Sequence, residues 1–167
     1  MTWRVAALGD SHDLSGFSSG NLELDTWLRD HARLATGQGT RTFVVLHGSD
    51  IVAGYFAITP HVLDRIEVPN KVARGAPRQI PSILLAKLAL SKHLQGQGYG
   101  AELLVRALGT IVEAARVAGG KLVVVDAIDA EAAAFYRHHD FQPLSNRTDR
   151  LVMKLSTAAR ALGVDWP

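Results

Sequence analysis

The chain contains no cysteine, so disulfides, thiolate metal sites and a cysteine nucleophile are excluded together. Acyl transfer through a cysteine intermediate is outside its chemistry. No apolar run approaches the ~18 residues that a membrane-spanning helix requires. The opening Met1-Thr-Trp-Arg-Val has no charged stretch leading into an apolar run and a small-residue cleavage site, which gives a cytoplasmic location as the expectation. Net charge is also small, +2 from 18 basic and 16 acidic residues, so a polyanionic partner requires that the positive charges cluster. Hydrophobic residues at 47% and charged residues at 20% fit neither a disordered nor a fibrous chain, and 167 residues suit one domain, 1–167, ending in a polar tail over about 156–167.

Read in order, Trp3 to Leu8 is a short apolar segment suited to an edge strand, and Gly9 to Gly20 is loop. Asn21 has the side chain of a helix cap. Glu23 and Asp25 follow in the first turn, and Leu24, Trp27, Leu28 and His31 fall on one face, opposite Arg29 and Arg33. Arg41 to His47 and Ile51 to Ile58 form a hairpin around Gly48-Ser-Asp50. Four prolines between Pro60 and Pro81 argue against a helix there, leaving room for one strand over His61 to Val68. Lys71, Arg74 and Arg78 make this loop basic.

The most informative stretch runs from Ile83 to Ala118. An apolar run to Leu90 reads as a strand, Gln95-Gly-Gln-Gly-Tyr-Gly100 as a loop, and Leu104, Leu108, Ile111 and Ala115, widened by Leu103, Ala107 and Val112, as a long amphipathic helix closed by Gly119-Gly120. Alternate glycines let backbone approach a ligand closely, and the helix start presents free N–H groups, so the loop is a candidate pyrophosphate site. It matches neither Gly-x-Gly-x-x-Gly nor a Walker A loop. Lys121 to Ala127 reads as a buried strand, Asp129 as the cap of a helix from Ala130 to His138, and Arg150 to Leu155 as a last strand. Strand, crossover helix, strand, short helix and strand after a hairpin give an α/β (α+β) chain with a mixed sheet.

These segments resemble the Gcn5-related N-acetyltransferase (GNAT) superfamily. The resemblance rests on the Leu85 to Leu90 strand, Gln95-x-x-Gly98-x-Gly100 with its helix, and Ala134-Phe-Tyr-Arg-His-His-Asp-Phe141, in which Asp140 stands where the pattern has glycine. A narrower likeness is carried by Phe17-x-x-Gly-Asn-x-x-Leu-Asp-x-Trp-Leu28, Arg41 to Val45, Gly54 to Ala57, Ile80-Pro81 and Ala132 to Phe141. These are similar to the TacT/AtaT-type acetyltransferase toxins of bacterial toxin–antitoxin pairs.

The resemblance implies a central mixed sheet whose strand splays at the acyl-CoA site. Acetyl-CoA would be held by Leu88, Ala89, Leu90, Gln95, Gly96, Gln97, Gly98, Tyr99, Gly100, Ala101 and Phe135. One backbone N–H would polarise the thioester carbonyl, an interaction whose loss costs ~3 kcal/mol of barrier in other enzymes. It also implies Tyr136 as general acid, because a phenol with a pKa near ~10 is protonated at neutral pH and can supply the departing thiolate. The acceptor would be the α-amine of aminoacyl-tRNA, the result a block of translation, and the partners a ribbon-helix-helix antitoxin and a second copy in a homodimer. Arg29, Arg33, Arg41, Lys71, Arg74 and Arg78 are the candidate tRNA-phosphate contacts. Glu67 and Asp126 are read as solvated or capping charges, no base is assigned, and the scattered histidines show no metal-ligand spacing. Two other readings stay open: acetylation of a small amine or protein N-terminus, and an idle acyl-CoA-binding regulatory module.

Overall fold

The computed structural model describes residues 2–48 and 50–167, so Ser49 in the expected hairpin turn lies outside the described residues. The strands are β1 (Trp3–Ala7), β2 (Arg41–His47), β3 (Ile51–Asp64), β4 (Gln79–Leu90), β5 (Leu122–Asp126), β6 (Gln142–Leu144) and β7 (Arg147–Lys154). The helices are α1 (Leu22–Asp30), α2 (Ala32–Thr36), α3 (Asn70–Ala73), α4 (Tyr99–Ala118), α5 (Ala130–His138) and α6 (Leu155–Ala161). The strands form one mixed sheet in the order β1-β2-β3-β4-β5-β7-β6, with β1 at an edge and β2 and β3 inside, as their apolar content demands. The β4–β5 pairing is parallel and covers Ser82 to Leu85, and β4 continues five residues past its last β5 partner, to Leu90.

Residues 1–59 and 86–107 form one compact unit and residues 60–85 and 108–167 another. In the first, Leu14, Phe17, Leu24, Leu28, Val44, Leu46 and Tyr55 build the core. In the second, Leu63, Val68, Val72, Ile80, Leu122, Val124, Leu144 and Val152 do so. The whole expected stripe of α4 is buried, from Leu103 to Ala115.

Four local expectations need correction. The helix after Asn21 breaks at His31, which is exposed and separates α1 from α2 instead of extending the buried face. β3 does not stop at Ile58 but runs through Pro60 and His61 to Asp64, in place of a separate strand to Val68; the β2 ladder ends at Ile58, so the missing N–H of Pro60 takes nothing from it. The proline-rich segment does hold a one-turn helix, α3, because Pro69 precedes its first turn, where an absent N–H costs no helical bond. The supposed tail begins as α6, with Leu155, Ala158 and Ala159 buried, and β6 is a further strand.

Asp140 adopts φ +71°, the left-handed conformation that glycine accepts without penalty, just past the C-cap of α5. The turn is kept despite the replaced glycine, at a conformational cost. Asp140→Gly is therefore expected to stabilise the chain by about 1 kcal/mol, read as a higher midpoint in urea unfolding.

Candidate active site

The glycine loop is held by a chain of polar contacts within the first unit. A bulge between Val45 and Leu46 in the β2–β3 register leaves the carbonyl of Ala53 to accept the Ser91 N–H at 2.7 Å as β4 ends. Next to it, a Cβ on Gly54 would come within 2.9 Å of the Ala89 carbonyl and 3.3 Å of Leu103, so only glycine lets the backbone pass so close to β4. The Gln95 side-chain amide donates to the carbonyls of Leu90 at 2.9 Å and Ser19 at 2.7 Å. Gln95 thus ties the loop down, and both its amide hydrogens are already used.

What remains for an anion is backbone. Gly96 and Gly98 have φ of +76° and +87°, whereas Gly100 lies inside α4 with no such demand. The N–H groups of Gly96, Gln97 and Gly98 have no backbone partner among the described residues, and those of Tyr99 and Gly100 open the first turn of a 20-residue helix. Glu102 in that turn would oppose an anion, but Arg106 pairs with it at 3.1 Å. The arrangement fits a pyrophosphate.

Tyr136 stands in the second unit. Asp129 caps α5 by accepting the Ala132 N–H at 2.8 Å, and Tyr136 lies in the last turns with its ring against Phe135 and Phe141, at 5.4 and 5.5 Å. Burial, followed by the charge of Asp126, pushes its phenol well above the ordinary value. Tyr136 is buried, and its hydroxyl makes no hydrogen bond among the described residues, where Thr42 Oγ1 is the only fully enclosed side-chain polar atom without a partner. A protonated, uncommitted O–H is what a proton donor to a leaving group requires. Phe135 is half-buried, its ring 4.8 Å from that of His139.

Asp126 is not the solvated or capping charge expected from sequence. Arg150 grips both its carboxylate oxygens, Nε at 2.6 Å and Nη2 at 2.8 Å, and Arg150 Nη1 reaches His61 Nε2 at 3.0 Å. Neither Arg150 nor the His61 contact was legible, because partners 24 and 89 residues apart leave no local spacing. The free carboxylate nearby is that of Glu67, which has no hydrogen bond or ion pair among the described residues yet acts electrostatically on His61 and Arg150.

The six basic candidates divide. Arg33 donates to the carbonyls of Gly9 and His12, and Arg41 to that of Thr36, so both serve their own backbone. Arg29, Lys71, Arg74 and Arg78 are exposed. Arg74 and Arg78 line an open cleft of about 690 Å³ with Arg65, Asp64, Ile66 and Asn70. Arg65 anchors one wall by donating to the Ala76 carbonyl at 3.0 Å, and sequence reasoning passed over it. Among the described residues no three histidine or acidic side chains gather as metal ligands.

Residues 38–143 match the acetyltransferase (GNAT) domain family. Over 157 residues, 93% of either chain, the sequence is 38% identical to a tRNA-acetylating toxin of Mycobacterium tuberculosis (strain ATCC 25618 / H37Rv). AtaT complexed with acetyl-methionyl-tRNAfMet is similar in structure, with a TM-score of 0.86 and 25% identity over 96% of this chain and 99% of that one. A tyrosine-to-phenylalanine mutant of the AtaT toxin, bound to the C-terminus of the antitoxin AtaR and to acetyl-CoA, aligns with a TM-score of 0.80 and 25% identity over 96% and 98%.

The raised Tyr136 pKa has a direct optical consequence. In alkaline titration of phenolate absorbance, wild type and Tyr136→Phe should superimpose up to pH 10.0, the ordinary phenol value, and separate only above it. The sign follows from the neutral form being favoured in the folded state: its stabilisation is complete below the unfolded pKa and is lost as pH rises from there through the folded one.

Proposed function

The chain belongs to the GNAT acetyltransferase family, and from that we propose that it transfers the acetyl group of acetyl-CoA to the α-amine of aminoacyl-tRNA, as the translation-blocking toxin of a toxin–antitoxin pair. The observation that carries this reading is the nearly full-length likeness to a tRNA-acetylating toxin. The basic cleft of Arg65, Arg74 and Arg78 adds a surface of the right charge for an RNA backbone.

The geometry supports the following roles. The thioester supplies an activated acyl carbon and a thiolate leaving group. Backbone N–H groups from Gly96 to Gly100, with Gln97, Tyr99 and Ala101 along the same turn, hold the pyrophosphate, while Gln95 keeps the loop closed. Leu88, Ala89 and Leu90, past the last β5 partner, offer strand backbone to the pantetheine arm, and one N–H there polarises the thioester carbonyl. Phe135 lends apolar surface to the donor. The neutral amine attacks that carbonyl carbon, the C–S bond breaks, the Tyr136 O–H gives its proton to sulfur, and the amine proton leaves to solvent. Arg29, Lys71, Arg74 and Arg78 contact tRNA phosphates, with Arg33 and Arg41 contributing charge from their backbone-bound positions.

In the same reading the chain works as one domain over 1–167, in the cytoplasm, as a homodimer neutralised by a ribbon-helix-helix antitoxin. No helix among the described residues is long and apolar enough to cross a membrane.

The decisive assay incubates the protein with labelled acetyl-CoA and total charged tRNA, then identifies the acetylated aminoacyl adenosine after digestion; label appearing only on small amines would refute the tRNA reading. Tyr136→Phe should lower turnover about 10²- to 10⁴-fold with acetyl-CoA affinity unchanged by calorimetry. Replacing Arg74 and Arg78 together by Glu should abolish tRNA acetylation and spare acetyl-CoA binding.

A further inference from the structure

Beyond the donor loop and Tyr136, the second unit contains an assembled polar group to which the proposed reaction gives no role. Arg150 is fastened to Asp126 by two bonds and turns its remaining Nη1 to His61 Nε2. A guanidinium has only hydrogens to offer, so the imidazole nitrogen facing it must be the one without a proton. His61 is thereby fixed as the neutral tautomer with its hydrogen on Nδ1. That Nδ1–H has no partner among the described residues, and the side chain is only half-buried. Burial first, and then the charge of Arg150, hold His61 below its ordinary pKa against the opposing pull of Asp126 and Glu67, which keeps it neutral at pH 7.

The group lies in the same compact unit as Tyr136, and the Asp126 charge acts on both the His61 ring and the Tyr136 phenol. With both ring nitrogens committed, one accepting and one carrying hydrogen, His61 in this state cannot take a proton from the amine. It can only donate a hydrogen bond. The charges that act on it do not suit a phosphate: one cation, Arg150, stands against two carboxylates, Asp126 and Glu67, while Arg147 beyond them is paired with Asp149. A neutral acceptor oxygen suits the donor, and the surplus negative charge suits a neighbouring amine, which turns positive as it attacks the acyl carbon. An aminoacyl ester carries both groups on adjacent carbons.

We infer that His61 orients the acyl acceptor by donating its Nδ1–H to the carbonyl oxygen beside the α-amine, and that Arg150, held by Asp126, is a positioning residue that sets the tautomer. The inference rests on the proposed placement of the reaction at Tyr136.

Nitrogen-15 NMR of histidine-labelled wild-type protein at neutral pH should show His61 as the Nδ1–H tautomer, and Arg150→Met should release it to the Nε2–H form. In kinetics, His61→Ala should raise KM for charged tRNA about fivefold to tenfold, the loss of one hydrogen bond, with KM for acetyl-CoA unchanged. His61→Asn, whose amide N–H can stand near Nδ1, should recover most of that loss. The penalty should persist with any acceptor that bears an α-carbonyl and vanish with a simple alkylamine. An Nε2–H tautomer in wild type, or a charged-tRNA KM unmoved by His61→Ala, overturns the inference; both are read without Arg150→Met, whose broken Asp126 pair can unfold the chain. If Tyr136→Phe turns over normally while His61→Ala still raises KM, the acid assignment fails and that of His61 stands.

Discussion

The buried carboxylate of Asp25 is the contact on which the glycine loop depends. Removing a carboxylate from water is costly unless hydrogen bonds replace its hydration, and Asp25 obtains them from one residue: the Ser19 N–H at 3.0 and 3.1 Å and the Ser19 hydroxyl at 2.6 Å. Ser19 is then fixed with its carbonyl aimed at Gln95. One buried charge near the start of α1 thus sets a residue 70 positions later, through two side chains and one peptide group. Tyr55 completes the arrangement by donating to the Leu24 carbonyl at 2.7 Å, its own pKa raised by burial and then by Asp25.

The second unit uses electrostatics differently. Asp126 is matched oxygen for hydrogen by Arg150, and its residual field acts on Tyr136 in the direction that burial already favours. Proton retention by the phenol therefore needs no hydrogen bond to the hydroxyl. In the first unit a carboxylate organises backbone; in the second a carboxylate and a guanidinium organise the states of a phenol and an imidazole.

Features governed by neighbouring residues were legible in the sequence. Asn21 and Asp129 cap helices because their side chains reach the N–H three residues on, and the α4 stripe is buried from end to end. The strand, loop and helix from β4 to α4 follow from apolar runs separated by glycines. What failed was set by tertiary pairing. Pro60 reads as an interruption unless one knows that the β2 ladder has already ended, and α6 reads as a polar tail until Leu155, Ala158 and Ala159 find a core. Gln95 looks like a phosphate ligand until its amide is seen to be spent on Ser19 and Leu90. The Asp126–Arg150–His61 group joins three strands and carries no local signature.

Gly54 has a genetic consequence. Every other amino acid carries a Cβ, and at this position that atom meets the Ala89 carbonyl at 2.9 Å. Backbone cannot step aside as a flexible side chain would, so any missense codon at residue 54 displaces β4 at Ala89. In a population selected to survive expression of an active enzyme of this kind, inactivating mutations should recur at residue 54, remote in sequence from both the glycine loop and Tyr136.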